Sequence, residues 1–443
     1  MPDLLSAPLR QPSPLVIVAT TGTAGDIQPF MTIAQGLYER GHRVVMLMPS
    51  FHVEAAKAAG LPYETIGTAK QFQTMLNDPN LWDEHKGLGV VWNGLIPHLN
   101  ALHDIVQRLP TREPCVVLSH PIMVPMAALA RSVRSDLHIV AAYLAPSNLC
   151  SSHDLLAMGS LRIPAWVPLP WRQSLWRVIH KAWIDPTTRP SLNAARAHHN
   201  LPSVPHFFEH MLKAPNASVG LFPDWFASVQ PDWPQPFSTC NFLSAPVETT
   251  ETATMPPELA WFLSIDDPPI VFTPGTGHQH AASYFLTALE VLRRMGRRGL
   301  FVTPHTGQVP LPLPPTVMWQ AHVPFATLFP RVAAVVHHGG IGTTAEAFRA
   351  GVRQLIVPFA YDQFDNGLRA KRLGVADVLL ARRLSVRRMT WQLARLLSSQ
   401  QVGRACGTVA KVMKQGSGMP WLLDRVEVAL GIGPLPLRYT EAS

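Results

Sequence analysis

Short, wholly apolar runs alternate along the chain with glycine turns and amphipathic stretches. Leu15-Val-Ile-Val-Ala19 reads as a strand buried on both faces. After it come the turn Thr21-Gly-Thr-Ala-Gly-Asp26 and a helix with Phe30, Ile33, Ala34 and Leu37 at helical spacing, ending at Arg40-Gly41. A second strand is expected over residues 43–48 and a second helix from about Val53, with later strands over 115–118 and 138–143. Strand, glycine turn, helix, strand is how a nucleotide-binding α/β unit opens. The rhythm starts again at Pro269-Ile-Val-Phe-Thr273 and continues through 299–303, 316–320, 333–337 and 354–358. The pattern predicts two doubly wound, Rossmann-like α/β domains facing across a cleft. The first spans 1–240, a linker rich in Thr and Glu spans 241–257, and the second spans 258–420. A C-terminal helix over 421–443 is expected to cross back to the first domain.

Composition narrows the class. The 443 residues exceed one ordinary core, and 47% hydrophobic with 15% charged residues excludes wholesale disorder. A formal charge of +8 favours anionic partners such as nucleotide diphosphates, fatty acids or an anionic bilayer surface. The basic residues are scattered without a nucleic-acid-binding motif, so no nucleic-acid partner is expected. The four cysteines are far apart and form no Cys-x-x-Cys, which argues against a zinc site or disulfide framework. The first fourteen residues hold four prolines and no apolar run, so no signal peptide is expected. A cytoplasmic protein, at most peripheral at the inner face of the membrane, is the expectation.

Two sites carry candidate chemistry. In Val335-Val-His337-His338-Gly339-Gly340-Ile341-Gly342-Thr343-Thr344 a strand delivers a histidine to a glycine turn that opens a helix. Backbone N–H groups and the positive helix end then point at an anion, the glycines let a diphosphate approach, and His337 can donate to it. After the next apolar strand, Asp362 and Gln363 set an acceptor and a donor side by side, suited to a sugar diol. Asp26, at the corner of the first domain, is placed to act as a base or as a helix N-cap.

His-x-Gly-Gly-x-Gly-Thr followed by Asp-Gln-x-x-Asn resembles the donor signature of the inverting GT-B glycosyltransferases of plant, macrolide, glycopeptide and sterol metabolism. The resemblance extends to Gly-x-x-Gly-Asp-x-x-Pro in the segment 22–29, to Thr273-Pro-Gly275-Thr276, and to the loop 320–330. It implies Asp26 as catalytic base, with His153 and His120 as alternatives. The diphosphate would lie against Gly275, Thr276, His337, Gly339, Gly340, Gly342 and Thr343. Val323 would pair with the base through its backbone, His322 or Trp319 would stack on it, and Asp362 and Gln363 would hold the sugar. Plant members carry a ribose-binding glutamate eight residues after the histidine; counted from His337 that position is Ala345, with Glu346 one off register. A deoxyribose donor is consistent with this. No Asp-x-Asp occurs, so no metal cofactor is expected.

In the first domain, Leu81-Trp-Asp83, Gly89-Val-Val-Trp92, 145–153, 221–227 and Asp232-Trp-Pro-Gln-Pro236 resemble rhamnolipid rhamnosyltransferases. The implied reaction moves L-rhamnose from dTDP-L-rhamnose to a 3-(3-hydroxyalkanoyloxy)alkanoate, a β-hydroxyacyl lipid, with a possible lipid-synthesising partner. The Trp-rich stretch 161–183 reads either as an amphipathic lip for that lipid or a membrane, or as ordinary core. Acceptor contacts are expected at His153, Trp166 and Trp171. The alternatives are a UDP-sugar transferase for a sterol or secondary metabolite, a sugar-nucleotide 2-epimerase, and a non-catalytic helper subunit.

Overall fold

The computed structural model describes residues 13–110, 113–154, 156–159, 161–164, 166–243, 255–415 and 418–433. Most of the expected linker, and the last ten residues of the expected C-terminal helix, lie outside them.

The first sheet comprises β1 (Leu15–Ala19), β2 (Arg43–Pro49), β3 (Tyr63–Ile66), β4 (Cys115–Ser119), β5 (His138–Tyr143), β8 (Ala217–Gly220) and β9 (Phe237–Thr239). All are parallel, in the order β3-β2-β1-β4-β5-β8-β9. A small antiparallel hairpin, β6 (Leu156–Met158) with β7 (Leu161–Ile163), stands apart from it. The second sheet holds β10 (Ile270–Thr273), β11 (Gly299–Val302), β12 (Val317–Gln320), β13 (Ala334–His337), β14 (Arg353–Ile356) and β15 (Ala376–Val378), in the parallel order β12-β11-β10-β13-β14-β15.

Helices cover both faces of each sheet, which is why the central strands bury residues of both faces rather than every second one. Ile17 and Ala19 pack into one core cluster while Val16 and Val18 pack into another. Phe272 and Val271 divide in the same way in the second domain. The helix Met419–Leu430 packs on the first domain: Leu422, Leu423, Val426 and Leu430 share a core with Val16 and Val18. Arg40 and His42 bind the buried Glu427 from the first domain's side, at 2.6 and 2.8 Å.

Each strand order reverses direction once, between β1 and β4 and between β10 and β13. Parallel sheets bind ligands at such switch points, outside the carboxyl ends of the strands. Ala19 lies in register with Ser119, and Thr273 with His337, so these strand ends open together. Residues 20–26 and His120 therefore face residues 274–278 and 338–343 across one cleft.

Candidate functional site

The cleft encloses a cavity of about 1280 Å³ lined from both domains. On the first domain's side, helix α1 (Ala24–Glu39) begins at Thr23, and Asp26 closes a capping box as the third helical residue. Asp26 is therefore not the N-cap; Thr23 is. The Thr23 N–H donates to Asp26 Oδ2 at 2.8 Å and the Thr23 hydroxyl at 3.2 Å, leaving the carboxylate turned to the cavity. Desolvation outweighs these bonds and raises Asp26 to about 6. Pro29 lies inside α1 at its sixth position, beyond the first turn in which a missing N–H is free. Of the alternative bases, His120 lines the cavity and burial lowers it to about 4, so it stays neutral. His153 is exposed and lies off the cavity.

The two histidines of the turn are placed the other way from the expectation: His337 lies in the interior and His338 at the cavity. His337 is the last residue of β13 and fully buried, and both ring nitrogens are occupied. Its Nδ1 accepts from the Gly339 N–H at 3.1 Å and its Nε2 lies 3.0 Å from Gln354 Oε1. His338 is the one that lines the cavity. Burial, with His337 and His278 nearby, lowers it to about 3, so it is neutral, and its Nδ1 is buried without a partner. The register of the glutamate moves with it. Eight residues after His338 stands Glu346, which lines the cavity; its Oε1 binds Arg349 at 2.5 Å and its buried Oε2 has no partner. Ala345 is 2% exposed and packs in the core away from the cavity.

The glycines divide into two roles. Gly340, Gly342 and Thr343 line the cavity where the helix Ile341–Ala350 starts, whereas Gly339 turns the chain at φ +95°. Gly275, at φ +93°, leaves room for the imidazole of His338; a Cβ there would lie 2.8 Å from it. Thr276, His322 and Val323 line the cavity. Trp319 does not: its Nε1–H donates to the Thr303 carbonyl at 3.0 Å and its ring packs on the second domain's core, because a strand residue alternates away from the cleft.

Asp362 and Gln363 line the cavity at the start of the helix Gln363–Arg372. Gln363 Oε1 accepts from the Phe359 and Ala360 N–H groups at 2.8 and 3.1 Å, which fixes the loop. Asn366 ties the two motifs together, donating to Asp362 Oδ2 at 2.7 Å and to the Gly339 carbonyl at 2.9 Å. Burial first, and then the charge of Asp26 across the cleft, raise Asp362 to about 7. Both carboxyls that face the cavity are therefore held above the ordinary carboxylate range by burial.

The acceptor residues also differ from expectation. Trp166 and Trp171 are 81% and 73% exposed and do not line the cavity. The Trp-rich segment meets it instead through Trp176 and Trp183, whose indoles are fixed by the Ser151 and His85 carbonyls at 3.1 and 2.8 Å. Phe72, Met75, Val91, Leu95, Phe208 and Met211 give the first domain's side of the cavity an apolar patch, with Gln28, Lys70, Asn93 and His98 also lining it. Spacing along a helix cannot tell which tryptophans of such a cluster turn inward. Among the described residues, no group of three or more His, Cys, Asp or Glu is placed to hold a metal ion.

Residues 16–92 match the glycosyltransferase family 28 N-terminal domain, and residues 303–415 match the erythromycin biosynthesis protein CIII-like, C-terminal domain. The chain is 28% identical over 370 residues to the O-mycaminosyltylonolide 6-deoxyallosyltransferase of Streptomyces fradiae, covering 82% of this chain and 84% of that protein. The solved glycotransferase of kitacinnamycin superposes with a TM-score of 0.71 at 17% identity, over 95% of this chain and 99% of that one. The spinosyn rhamnosyltransferase SpnG, complexed with thymidine diphosphate, superposes at 0.62 and 17% identity, over 94% of this chain and 100% of that one. Two facing Rossmann-like domains with this pairing define the class: the protein is a glycosyltransferase of the GT-B type.

Proposed function

We propose that the chain moves a deoxysugar, L-rhamnose, from dTDP-L-rhamnose to the hydroxyl of a β-hydroxyacyl lipid of the 3-(3-hydroxyalkanoyloxy)alkanoate type, without a metal cofactor. The observation that carries this reading is the cavity. One end is lined by the glycine turn and helix start suited to a diphosphate, and the first domain's side offers an apolar patch with polar groups beside it, suited to a hydroxyl at the head of long hydrocarbon tails. Asp26 takes the acceptor proton as the hydroxyl oxygen attacks the anomeric carbon from the face opposite the diphosphate. The anomeric C–O bond breaks, and dTDP leaves with the electron pair. His338, the N–H groups at the start of the helix Ile341–Ala350 and the Thr276 hydroxyl stabilise the departing charge. Asp362 and Gln363 hold the sugar hydroxyls.

The donor assignment draws on the first-domain segments around Trp82, Trp225 and Trp233 and on the thymidine diphosphate held by the similar SpnG fold. Ala345 packs in the core, while Glu346 stands in register for a ribose hydroxyl, which dTDP retains at its 3′ position. Purified protein with dTDP-L-rhamnose and the lipid should yield a rhamnosylated lipid by mass spectrometry. Turnover with UDP-glucose and none with dTDP-L-rhamnose would overturn the donor assignment. In competition against labelled donor, dTDP should bind at least as tightly as UDP. Glu346→Gln should weaken both nucleotides by about 1.5–3 kcal/mol, the scale of one hydrogen bond to a charged group.

The exposed Trp166, Trp171 and Val178, with Arg172, Arg177 and Lys181 beside them, are proposed to rest on an anionic bilayer next to the cavity mouth. Wild-type protein should co-sediment with phosphatidylglycerol vesicles, while Trp166→Ala/Trp171→Ala stays in the supernatant and keeps its rate on micellar acceptor. Equal sedimentation of the two would remove this contact.

A further inference from the structure

Leu81-Trp82-Asp83 stands out in the sequence but has no part in the chemistry above. It sits on the short turn Pro79–Trp82, which reaches from the first domain across the cleft. The Trp82 Nε1–H donates to the Gly277 carbonyl at 3.2 Å. Its ring stacks on His278 with centroids 5.3 Å apart and planes 10° from parallel, and meets Tyr361 edge-on at 5.8 Å. The Tyr361 hydroxyl returns the contact, donating to the Leu81 carbonyl at 2.5 Å. Tyr361 holds φ +55°, a left-handed conformation that costs a tyrosine free energy unless its surroundings fix it. There is no slack at this seam. A Cβ on Gly277 would lie 2.7 Å from the Thr23 methyl and 3.0 Å from Trp82 Cζ2.

The neighbours of these contacts are the working parts of the site. Gly277 follows the diphosphate loop Gly275-Thr276, Tyr361 immediately precedes the sugar clamp Asp362-Gln363, and Thr23 holds the carboxylate of Asp26. A second tie lies further along the clamp's helix. Arg369, buried, binds Asp154 of the first domain at 2.5 Å and the Phe226 carbonyl at 3.3 Å.

We infer that Trp82 is a positioning residue: an interdomain clasp that sets the diphosphate loop and sugar clamp against Asp26 and keeps water from the anomeric carbon. The inference rests on the transferase reading. A loosened clasp leaves the donor bound but lets water compete with the acceptor. The oxygen of water attacks the anomeric carbon, the bond to the diphosphate breaks, and the nucleoside diphosphate leaves with the electron pair. Asp26 takes the proton, and the products are free sugar and nucleoside diphosphate instead of glycoside. Excluding water from the reacting centre is what domain closure contributes in such sites.

The test measures nucleoside diphosphate release and glycoside formation side by side with dTDP-L-rhamnose and the lipid acceptor. The wild type should give the two products in equal amounts. Trp82→Ala should lose glycoside formation by about tenfold or more while nucleotide release falls less, so that most nucleotide is released without glycoside. Trp82→Phe keeps the stack on His278 and should recover much of the coupling. Gly277→Ala pushes on the same seam from the other domain and should uncouple in the same way; it carries the test if Trp82→Ala does not fold. A general loss of stability would lower both products together. An unchanged ratio in Trp82→Ala and Gly277→Ala, beside a normally coupled wild type, overturns the clasp alone. A wild type that turns over no nucleotide sugar overturns the transferase reading, and the clasp with it.

Discussion

Asp26→Asn should give a folded protein that binds donor normally and has lost kcat by about 10²–10⁴-fold, the range for removing a general base. Asparagine is nearly isosteric, and its side-chain oxygen can still accept from the Thr23 N–H, so the start of α1 should survive. The raised pKa of Asp26 means that its ionised form is disfavoured in the folded state, a penalty present above about pH 6 that asparagine does not carry. Stability at neutral pH should therefore not fall. The pH profile supplies an independent check. A base must be deprotonated, so wild-type kcat/KM should fall as pH drops through about 6, by tenfold per unit once well below it. The residual rate of Asp26→Asn should lack that limb. His120 lies far lower, at about 4, and a limb there would pass the role of base to it. Activity of Asp26→Asn within tenfold of wild type would remove Asp26 from the mechanism.

The fold was legible where burial alone determines the residues. Strands sandwiched between two helical layers must be apolar throughout, so β1, β2, β4, β5 and the first five strands of the second sheet stand out as continuous runs. Of the sheet strands not foreseen, β8 is buried throughout but is only four residues long, Ala-Ser-Val-Gly, and the others are those on which that demand is weak. Tyr63-Glu-Thr-Ile66 is an edge strand with two exposed polar residues, while β9 and β15 are three residues long at the opposite edges. Phe237-Ser-Thr239 carries too little apolar surface to stand out. The Trp-rich stretch became a helix whose period does not say which tryptophan meets the cavity. Within the site, Asp26, Asp362 and the glycine turn follow from local chain geometry, a strand end running into a helix start. The clasp between Trp82, Gly277 and Tyr361 depends on how the two domains meet, and no local pattern encodes that.

The paired histidines give the sharpest separation of a structural from a binding role, since two adjacent and chemically identical side chains should fail in different ways. His338→Ala should fold with little loss and raise the donor dissociation constant. A hydrogen bond to a charged group contributes roughly 1.5–3 kcal/mol, which is about ten- to a hundredfold in affinity. His338 is neutral across the working range, held near 3 by burial and by its neighbours His337 and His278, so this affinity should not change as a histidine's ordinary pKa is crossed. His337→Ala should instead lower the thermal midpoint. It opens a void beneath β13 and removes the partners of the Gly339 N–H and Gln354 Oε1, both in the interior. A cavity together with orphaned polar groups costs about 2–4 kcal/mol. Its donor affinity, measured below the unfolding transition, should move less than that of His338→Ala. Calorimetric titration with dTDP and thermal unfolding of both variants decide the matter. A weakened His337→Ala with normal stability, beside a His338→Ala of unchanged affinity, would return the diphosphate contact to His337 and require the turn Gly339-Gly340 to rearrange when donor binds.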